Sequence, residues 1–248
     1  FSATSNSQIT NNTIVPNGTT NIYGIMNRLN SLRNEIRNNS VSQFLGSASG
    51  GYGLMIERAS GFLNVSGNNI LVNSSVALGM NTLADNNTFW NNTFSAQIKT
   101  CGGYSVLLSN ASRNNFTNNM ILFSDTHDGS VASIALYNID LEIATYNLFE
   151  NNTINTSNYE CGDGVYSIYG GGPTTQLNNF TNNRMYPGKI LLQNTGMHVI
   201  ENNTINGSFD IFHYFIISGN NISFNKIIRN NLQNGFISIA TDGSSAAA

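Results

Sequence analysis

The sequence predicts an all-β fold, a single-stranded parallel β-helix (β-solenoid), with an N-terminal capping helix. Two recurring phrases predict the solenoid: apolar-x-x-Asn-Asn-Thr/Ser-apolar, and a Gly-containing turn followed by a short apolar strand. A third observation concerns composition, because only 9% of the 248 residues are charged while 44 are Asn, 27 are Ser and 20 are Thr. An ordinary soluble domain has about a quarter charged residues.

The two phrases alternate along the chain at intervals of about 20 to 35 residues. The first phrase occurs at 36–41, 83–89, 148–154 and 199–205. The second occurs at 51–56, 103–108, 164–168, 188–192 and 235–239. A unit this short cannot bury its own apolar face, so it must stack on its neighbours. Because the strands alternate with turns and not with helices, the repeat favours a β-helix over leucine-rich or helical repeats.

These phrases resemble the parallel β-helix repeat family over about residues 50–243. That family, of the pectate-lyase-like superfamily, includes pectin-degrading enzymes, phage tailspikes and secreted surface proteins. The resemblance implies right-handed winding. It is specific for the fold and says almost nothing about activity, since one fold hosts many functions.

The predicted domain organisation has four parts: an N-terminal tail (1–20), a capping helix with connector (21–49), the β-helix (50–243) and a C-terminal tail (244–248). The helix is predicted because Ile22, Ile25, Leu29, Leu32 and Ile36 recur three or four residues apart. Such a helix would cover one open end of the solenoid, although the same stripe could make a coiled-coil or interprotomer contact. The N-terminal tail is polar, and is expected either to be disordered or to pair as a strand with another subunit. The C-terminal end has no evident cap, which favours end-to-end assembly.

The Asn pairs are expected to divide into inward and outward members, because alternate residues of a strand face opposite sides. An inward Asn can form an amide ladder with its counterpart in the next coil. An outward Asn followed two residues later by Ser or Thr matches the N-glycosylation acceptor pattern. The alternative is that Asn-Asn-Thr is simply a favourable β-helix corner. Fifteen acceptors occur, against roughly eight expected from composition: Asn11, Asn17, Asn38, Asn64, Asn73, Asn86, Asn91, Asn110, Asn115, Asn151, Asn155, Asn179, Asn202, Asn206 and Asn221.

The charge balance argues against a nucleic-acid partner, since the net charge is -3 and no concentrated basic face is evident. No run of 18 apolar residues occurs, so no transmembrane segment is predicted, and the first residues do not form a signal peptide. The two cysteines, Cys101 and Cys161, could form one disulfide in an oxidising compartment or remain two buried thiols. They lie about two coils apart, so a disulfide would need a loop to bring Cys161 back.

Catalytic signals are sparse. Asp125, His127 and Asp128 form the only local cluster of carboxylates with an imidazole, and this stretch also reads as an ordinary Asp-Gly turn. The three histidines show no metal-ligand spacing, and neither a catalytic residue, a metal nor a cofactor is predicted. Four tyrosines could form a sugar-stacking strip or pack at the rim: Tyr159, Tyr166, Tyr169 and Tyr186.

The sequence therefore favours an extracellular or cell-surface structural protein. It is expected to be heavily N-glycosylated and to self-associate as the subunit of a fibre, sheath or surface layer. A polysaccharide-binding adhesive module is the alternative, and a polysaccharide lyase or hydrolase is a third possibility.

Overall fold

The computed structural model describes most of the chain. The described residues are 2–18, 22–44, 51–73, 76–98, 104–125, 131–137, 144–157, 165–171, 176–186, 190–193, 196–206, 213–218, 225–233 and 235–240. They form 27 β-strands in three parallel sheets of nine strands each. No helix occurs in these ranges.

Sheet A contains the first strand of each coil. Its strands are three residues long, and the central side chain is buried in seven of the nine, while Ile9 and Ile227 at the two ends are partly buried. In order they are β1 (Gln8–Thr10), β4 (Glu35–Arg37), β7 (Asn64–Ser66), β10 (Thr88–Trp90), β13 (Asn115–Thr117), β16 (Leu148–Glu150), β19 (Asn179–Thr181), β22 (Val199–Glu201) and β25 (Lys226–Ile228).

Sheet B contains the second strand of each coil, and its strands are two to six residues long. They are β2 (Thr13–Ile14), β5 (Ser40–Phe44), β8 (Asn69–Asn73), β11 (Thr93–Ile98), β14 (Met120–Asp125), β17 (Thr153–Ser157), β20 (Arg184–Tyr186), β23 (Thr204–Asn206) and β26 (Asn231–Gln233).

Sheet C contains the third strand of each coil. Its strands are β3 (Ile22–Asn27), β6 (Gly51–Glu57), β9 (Val76–Asn81), β12 (Tyr104–Ser109), β15 (Val131–Tyr137), β18 (Val165–Gly171), β21 (Ile190–Gln193), β24 (His213–Ser218) and β27 (Gly235–Ala240). Every strand pairs in parallel with the equivalent strands of the adjacent coils, so the predicted parallel β-helix is confirmed. We number the coils 1 to 9 by their sheet A strand.

The register fixes one corner of the tube. In all nine coils the sheet B strand begins five residues after the sheet A strand, as with Thr88 and Thr93. The length of a complete coil varies, from 20 residues between Asn179 and Val199 to 33 between Asn115 and Leu148. The variation therefore falls outside the corner between sheets A and B, which we call the AB corner.

The core is built as columns of like side chains, one from each coil. In sheet A the rings of Phe89, Phe116, Phe149 and Phe180 stack with centroid separations of 4.5, 4.7 and 5.2 Å and interplanar angles of 5° to 11°. All four are fully buried. The ring separations match the spacing of about 4.8 Å between hydrogen-bonded strands, so stacking follows directly from register.

Small residues are required where sheet C turns into the core. A Cβ atom at Gly53 would lie 2.3 Å from Ile70 Cγ2, and one at Gly24 would lie 2.4 Å from Val41 Cγ1. In the next two coils Ala77 and Ser105 occupy the position equivalent to Gly53. Each stands one residue before a core residue, Leu78 or Val106, and these two core residues pair with each other. Close approach of the sheet C backbone to sheet B thus selects Gly, Ala or Ser there.

The predicted N-terminal capping helix is wrong. Residues 22–27 form β3 and residues 35–37 form β4, each paired with the following coil. Ile25 and Ile36 are buried as expected, but Leu29 and Arg33 have left-handed φ values of 58° and 54° at corners. One inserted left-handed residue turns the strand spacing of two into three or four, which imitates helical periodicity.

The segment predicted as an N-terminal tail contributes β1 and β2, which pair with β4 and β5 of the same chain. The other predicted boundaries stay predictions, and residues 244–248 lie outside the described ranges. Within those ranges no helix is long and apolar enough to cross a membrane.

Candidate functional site: the AB corner and its flanking strands

The AB corner is made by one left-handed residue followed by one inward residue. The left-handed φ is 54° at Asn91, 56° at Asn118 and 55° at Asn151, and Gly67 takes the same role at 64°. Asn tolerates this conformation better than other residues with a Cβ atom. The Asn-Asn phrase in the sequence is therefore the signature of this corner.

The second residue of each corner forms an amide ladder along the inside of the tube. The Asn92 backbone N–H donates to Asn119 Oδ1 at 2.9 Å, and the Asn92 side-chain amide donates to the same oxygen at 3.0 Å. Asn119 Nδ2 also donates to the carbonyl oxygen of Phe89 at 3.0 Å. The same pattern links nine residues, which confirms the predicted inward ladder: Asn12, Asn39, Asn68, Asn92, Asn119, Asn152, Asn183, Asn203 and Asn230.

A second ladder, not predicted, lies at the corner that precedes sheet A. The Asn114 backbone N–H donates to Asn147 Oδ1 at 3.0 Å, and the Asn147 N–H donates to Asn178 Oδ1 at 2.9 Å. The Asn178 N–H then donates to His198 Nδ1 at 3.3 Å, which requires an unprotonated Nδ1. The signal was present in the phrases Asn114-Asn115-Phe116 and Asn178-Asn179-Phe180, where an Asn stands two residues before a core Phe.

The N-glycosylation acceptor asparagines differ from the ladder asparagines in burial. Among the described residues thirteen Asn are buried, and none of them is followed by Ser or Thr two residues later. Fourteen acceptors lie in the described ranges, and none of them is buried. The alternation of the strand explains this, because the residue two positions after an inward Asn is itself a core residue. The fifteenth acceptor, Asn221, lies outside the described residues.

The described acceptors occupy three kinds of position. Five stand at the left-handed position of the AB corner and are exposed: Asn11, Asn38, Asn91, Asn151 and Asn202. Three stand at the first outward position of a sheet A strand: Asn64, Asn115 and Asn179. The others lie in sheet B or at other corners: Asn17, Asn73, Asn86, Asn110, Asn155 and Asn206.

The hydroxyl of the acceptor pattern lies on the same face as its amide. Thr117 Oγ1 donates to Asn115 Oδ1 at 2.6 Å, and Thr181 Oγ1 donates to Asn179 Oδ1. The outward placement predicted for acceptor side chains is therefore present at these two strands.

A carboxylate, a guanidinium and an aromatic ring meet at the corner before sheet A. The Ser112 backbone N–H donates to Asp85 Oδ1 at 2.7 Å, and the Arg113 guanidinium lies 5.8 Å from the centroid of the Tyr146 ring. Burial raises the pKa of the Asp85 carboxyl, while the Ser112 hydrogen bond and the Arg113 charge oppose that shift. The Ser112 bond ties Asp85 to the next coil, which gives it a structural role.

The structure describes only some of the other predicted chemical residues. Asp125 ends β14, whereas His127 and Asp128 lie outside the described residues, as do Cys101, Cys161 and Tyr159. Tyr166 and Tyr169 lie in β18, and Tyr186 in β20 is 44% exposed. Across the ranges that the structure describes, no three His, Cys, Asp or Glu side chains are grouped so as to hold a metal ion.

Sequence reasoning overlooked several exposed aromatic residues, among them Phe62, Tyr146 and Trp90. Trp90, the single tryptophan, is 51% exposed on the outer face of sheet A. It pairs in register with Ser66 and Thr117 of the adjacent coils. Strand parity could have found it, because it follows the core residue Phe89 directly.

Comparison with known proteins gives a fold and no family. No protein-family model matches the chain, and no curated protein matches it. Among solved structures, a crystal structure of a double mutant of the periplasmic alginate epimerase AlgG is similar, with a TM-score of 0.55 and 12% sequence identity. The match covers 96% of this chain and 69% of that one. This likeness supports the predicted parallel β-helix fold.

Proposed function

We propose that this chain is an extracytoplasmic structural glycoprotein whose outer faces carry N-linked glycans. The observation that supports it most directly is the separation of acceptor asparagines, none buried, from buried asparagines, none an acceptor. Glycans would also account for a surface with so few charges. The periplasmic location of the similar epimerase favours the same side of the membrane for this chain.

The ladders support a mechanical role. Each inward Asn of the AB corner from Asn39 to Asn203 bonds the coil before it and the coil after it, and parallel strands pair on both edges through the interior of each sheet. Separating two coils breaks these buried hydrogen bonds, and each buried donor left without a partner lowers the stability by about 1–3 kcal/mol. A tube bonded in this way resists local unfolding and proteolysis.

The experiment is site mapping on protein purified from its native source. Intact mass is expected to exceed the 26.9 kDa of the polypeptide, and fragmentation is expected to place sugars on Asn91, Asn151 and Asn202. Thr153→Ala removes the acceptor pattern of Asn151 and should remove that sugar alone. The matched control Thr10→Ala, outside any acceptor pattern, should leave every site unchanged. An intact mass equal to that of the polypeptide would overturn the proposal.

Self-association by stacking of coils is the second part of the proposal. The ladder has a direction: Asn12 donates to Asn39 at one end of the described coils, and Asn203 donates to Asn230 at the other. A second copy stacked on coil 9 would bring its Asn12 Oδ1 to the Asn230 backbone N–H in the same relation. The five-residue step of the AB corner is shared by both ends, which supports matching registers. Sedimentation velocity should show growth with concentration, and a single monomer species at all concentrations would contradict stacking.

A polysaccharide-binding module is the second candidate, favoured by the half-exposed Trp90 on a face of Thr, Asn and Ser. Aromatic rings bind sugars through their apolar faces, and polar neighbours supply hydrogen bonds. Titration with alginate and with neutral glycans should shift the emission of this single tryptophan, and Trp90→Ala should abolish binding. Unchanged emission with every glycan would count against the module, whereas turnover of alginate would favour an enzyme instead.

A further inference from the structure

From coil 2 to coil 8 the glycosylation acceptors on the AB corner and sheet A alternate from coil to coil, whereas Asn11 in coil 1 stands in the same corner row as Asn38 in coil 2. In coils 2, 4, 6 and 8 the acceptor stands at the left-handed corner position, and these residues are Asn38, Asn91, Asn151 and Asn202. In coils 3, 5 and 7 it stands at the first position of the sheet A strand, and these residues are Asn64, Asn115 and Asn179. At these two positions taken together, seven consecutive coils therefore carry one acceptor each, in two staggered rows.

The alternation is not imposed by the backbone. Asn118 in coil 5 has φ 56° and Asn182 in coil 7 has φ 56°, close to the 54° of the acceptor Asn91. Neither is an acceptor, because Met120 and Arg184 stand where the hydroxyl residue would be. The corner conformation is thus kept in every coil, while the acceptor pattern is removed from alternate ones.

The strand row shows the complementary pattern. The even coils replace the strand Asn by Glu35, Thr88, Leu148 and Val199, all at the same register position as Asn64, Asn115 and Asn179. No coil from 2 to 8 carries both acceptors or lacks both.

The stagger doubles the distance between neighbouring acceptors in a row. Coils rise about 4.8 Å each, so acceptors two coils apart lie about 10 Å apart. Acceptors of adjacent coils lie in different rows, three residues apart along the strand direction, which is also about 10 Å at about 3.3 Å per residue. Acceptors of adjacent coils in one row lie only about 4.8 Å apart, as Asn11 and Asn38 do, and at that spacing we expect the first glycan to hinder attachment of the second.

We propose that the AB corner and sheet A form a modification surface that carries one N-linked glycan per coil from coil 2 to coil 8, in two staggered rows. This inference rests on the glycosylation proposed above and specifies where the sugars stand. The co-reactant is a polyprenyl-phosphate-linked or polyprenyl-diphosphate-linked saccharide. The Asn Nδ2 atom bonds to the anomeric carbon and loses one proton, and the bond from that carbon to the phosphate oxygen breaks, so the lipid phosphate or diphosphate leaves.

The proposed glycans would cover sheet A and the AB corner and would leave sheet C uncovered. No acceptor lies in any of the nine strands of sheet C. Its described outward side chains include Tyr23 and Tyr52, whose rings stack at 5.9 Å. A regular coat over sheet A and the AB corner therefore leaves sheet C open to contacts.

The test adds an acceptor where the stagger forbids one. Met120→Thr makes Asn118 an acceptor between Asn91 and Asn151, one coil from each, and Met120 is 46% exposed, so the fold should tolerate the change. In native-source protein we expect Asn118 to stay empty, or occupancy at Asn91 or Asn151 to fall by at least half. A thermal midpoint close to that of wild type confirms that the variant folds.

The matched control adds an acceptor where the stagger continues. Lys226→Asn with Ile228→Thr creates a strand acceptor in coil 9, two coils from Asn179, and should be filled without loss elsewhere. Full occupancy of Asn91, Asn118 and Asn151 on the same molecule would overturn the stagger while leaving the glycoprotein proposal intact. Sugar at none of the seven sites in wild type would instead overturn the glycoprotein proposal itself.

Discussion

Replacement of one ladder amide separates the roles of two adjacent asparagines. Asn119→Ala removes the acceptor of two Asn92 donors, at 2.9 and 3.0 Å, and the side-chain donor to the Phe89 carbonyl at 3.0 Å. Two buried N–H groups are then left without a partner, at about 1–3 kcal/mol each. The void left by the side chain adds to this loss. We expect Asn119→Ala to lower the free energy of unfolding by about 4 kcal/mol.

The control is the preceding residue, Asn118. It is exposed, and its side chain is absent from the ladder, so Asn118→Ala loses mainly the tolerance of Asn for a left-handed φ of 56°. That change should cost about 1 kcal/mol. Neither residue is a glycan acceptor, so sugars do not enter the comparison.

The assay is urea unfolding followed by far-UV circular dichroism and by Trp90 emission. Both variants should keep the wild-type dependence on urea, and the midpoint of Asn119→Ala should be the lower by a wide margin. Agreement between the two probes would support a cooperative transition, which long repeats do not always show. Equal midpoints for the two variants would refute the view that the ladder stabilises the tube.

Three further predictions concern His198, Gly53 and Asp85. His198→Leu keeps the volume but leaves the Asn178 N–H without an acceptor, and should cost about 2 kcal/mol, whereas His198→Asn should stay within about 1 kcal/mol of wild type in thermal melts. Gly53→Ala places a Cβ 2.3 Å from Ile70 Cγ2, and this clash should lower the free energy of unfolding by about 1–3 kcal/mol, measured from the urea midpoint. Because burial raises the pKa of Asp85, the folded state binds its proton more tightly than the unfolded state, so this carboxyl favours folding more as the pH falls from 7 through the folded pKa. Asp85→Asn should remove that pH-dependent gain, and an unchanged difference between pH 7 and pH 4 would contradict the assignment.

Strand parity made the fold and the inward ladder predictable. The sequence places Asn92 and Phe94 two residues apart, so both must face the core, while Asn91 and Thr93 face solvent. This argument needs no tertiary information, because a period of two is a property of the strand itself. The structure has Asn92 and Phe94 buried, as that reasoning requires.

The same argument failed at the N-terminus because corners change the period. Between Ile25 and Ile36 the chain passes left-handed residues at Leu29, Asn30 and Arg33, and each shifts the following strand by one residue. Apolar residues then fall three or four apart, which a helix would also produce. The identity of a left-handed Leu or Arg gives no warning, since neither is typical of that conformation.

The second ladder was missed for a different reason. The Asn-Asn pair indicates one corner, and Asn114-Asn115-Phe116 matches the same phrase although its first Asn lies two residues before a core Phe. Only the register shows that Asn114 and Asn119 belong to separate columns, both of which accept hydrogen bonds from the preceding coil. Register depends on pairing between distant segments, so it could not be derived from local spacing.

The constant five-residue step gives the molecule an internal ruler. Segments of any length can be inserted where sheets B and C end without disturbing the positions of atoms along the AB corner, since coils of 20 and 33 residues share the same step. A chain of this kind can therefore diverge freely around most of its circumference while one edge keeps a fixed pitch. Duplication of a coil would lengthen that edge by one strand spacing, about 4.8 Å, each time.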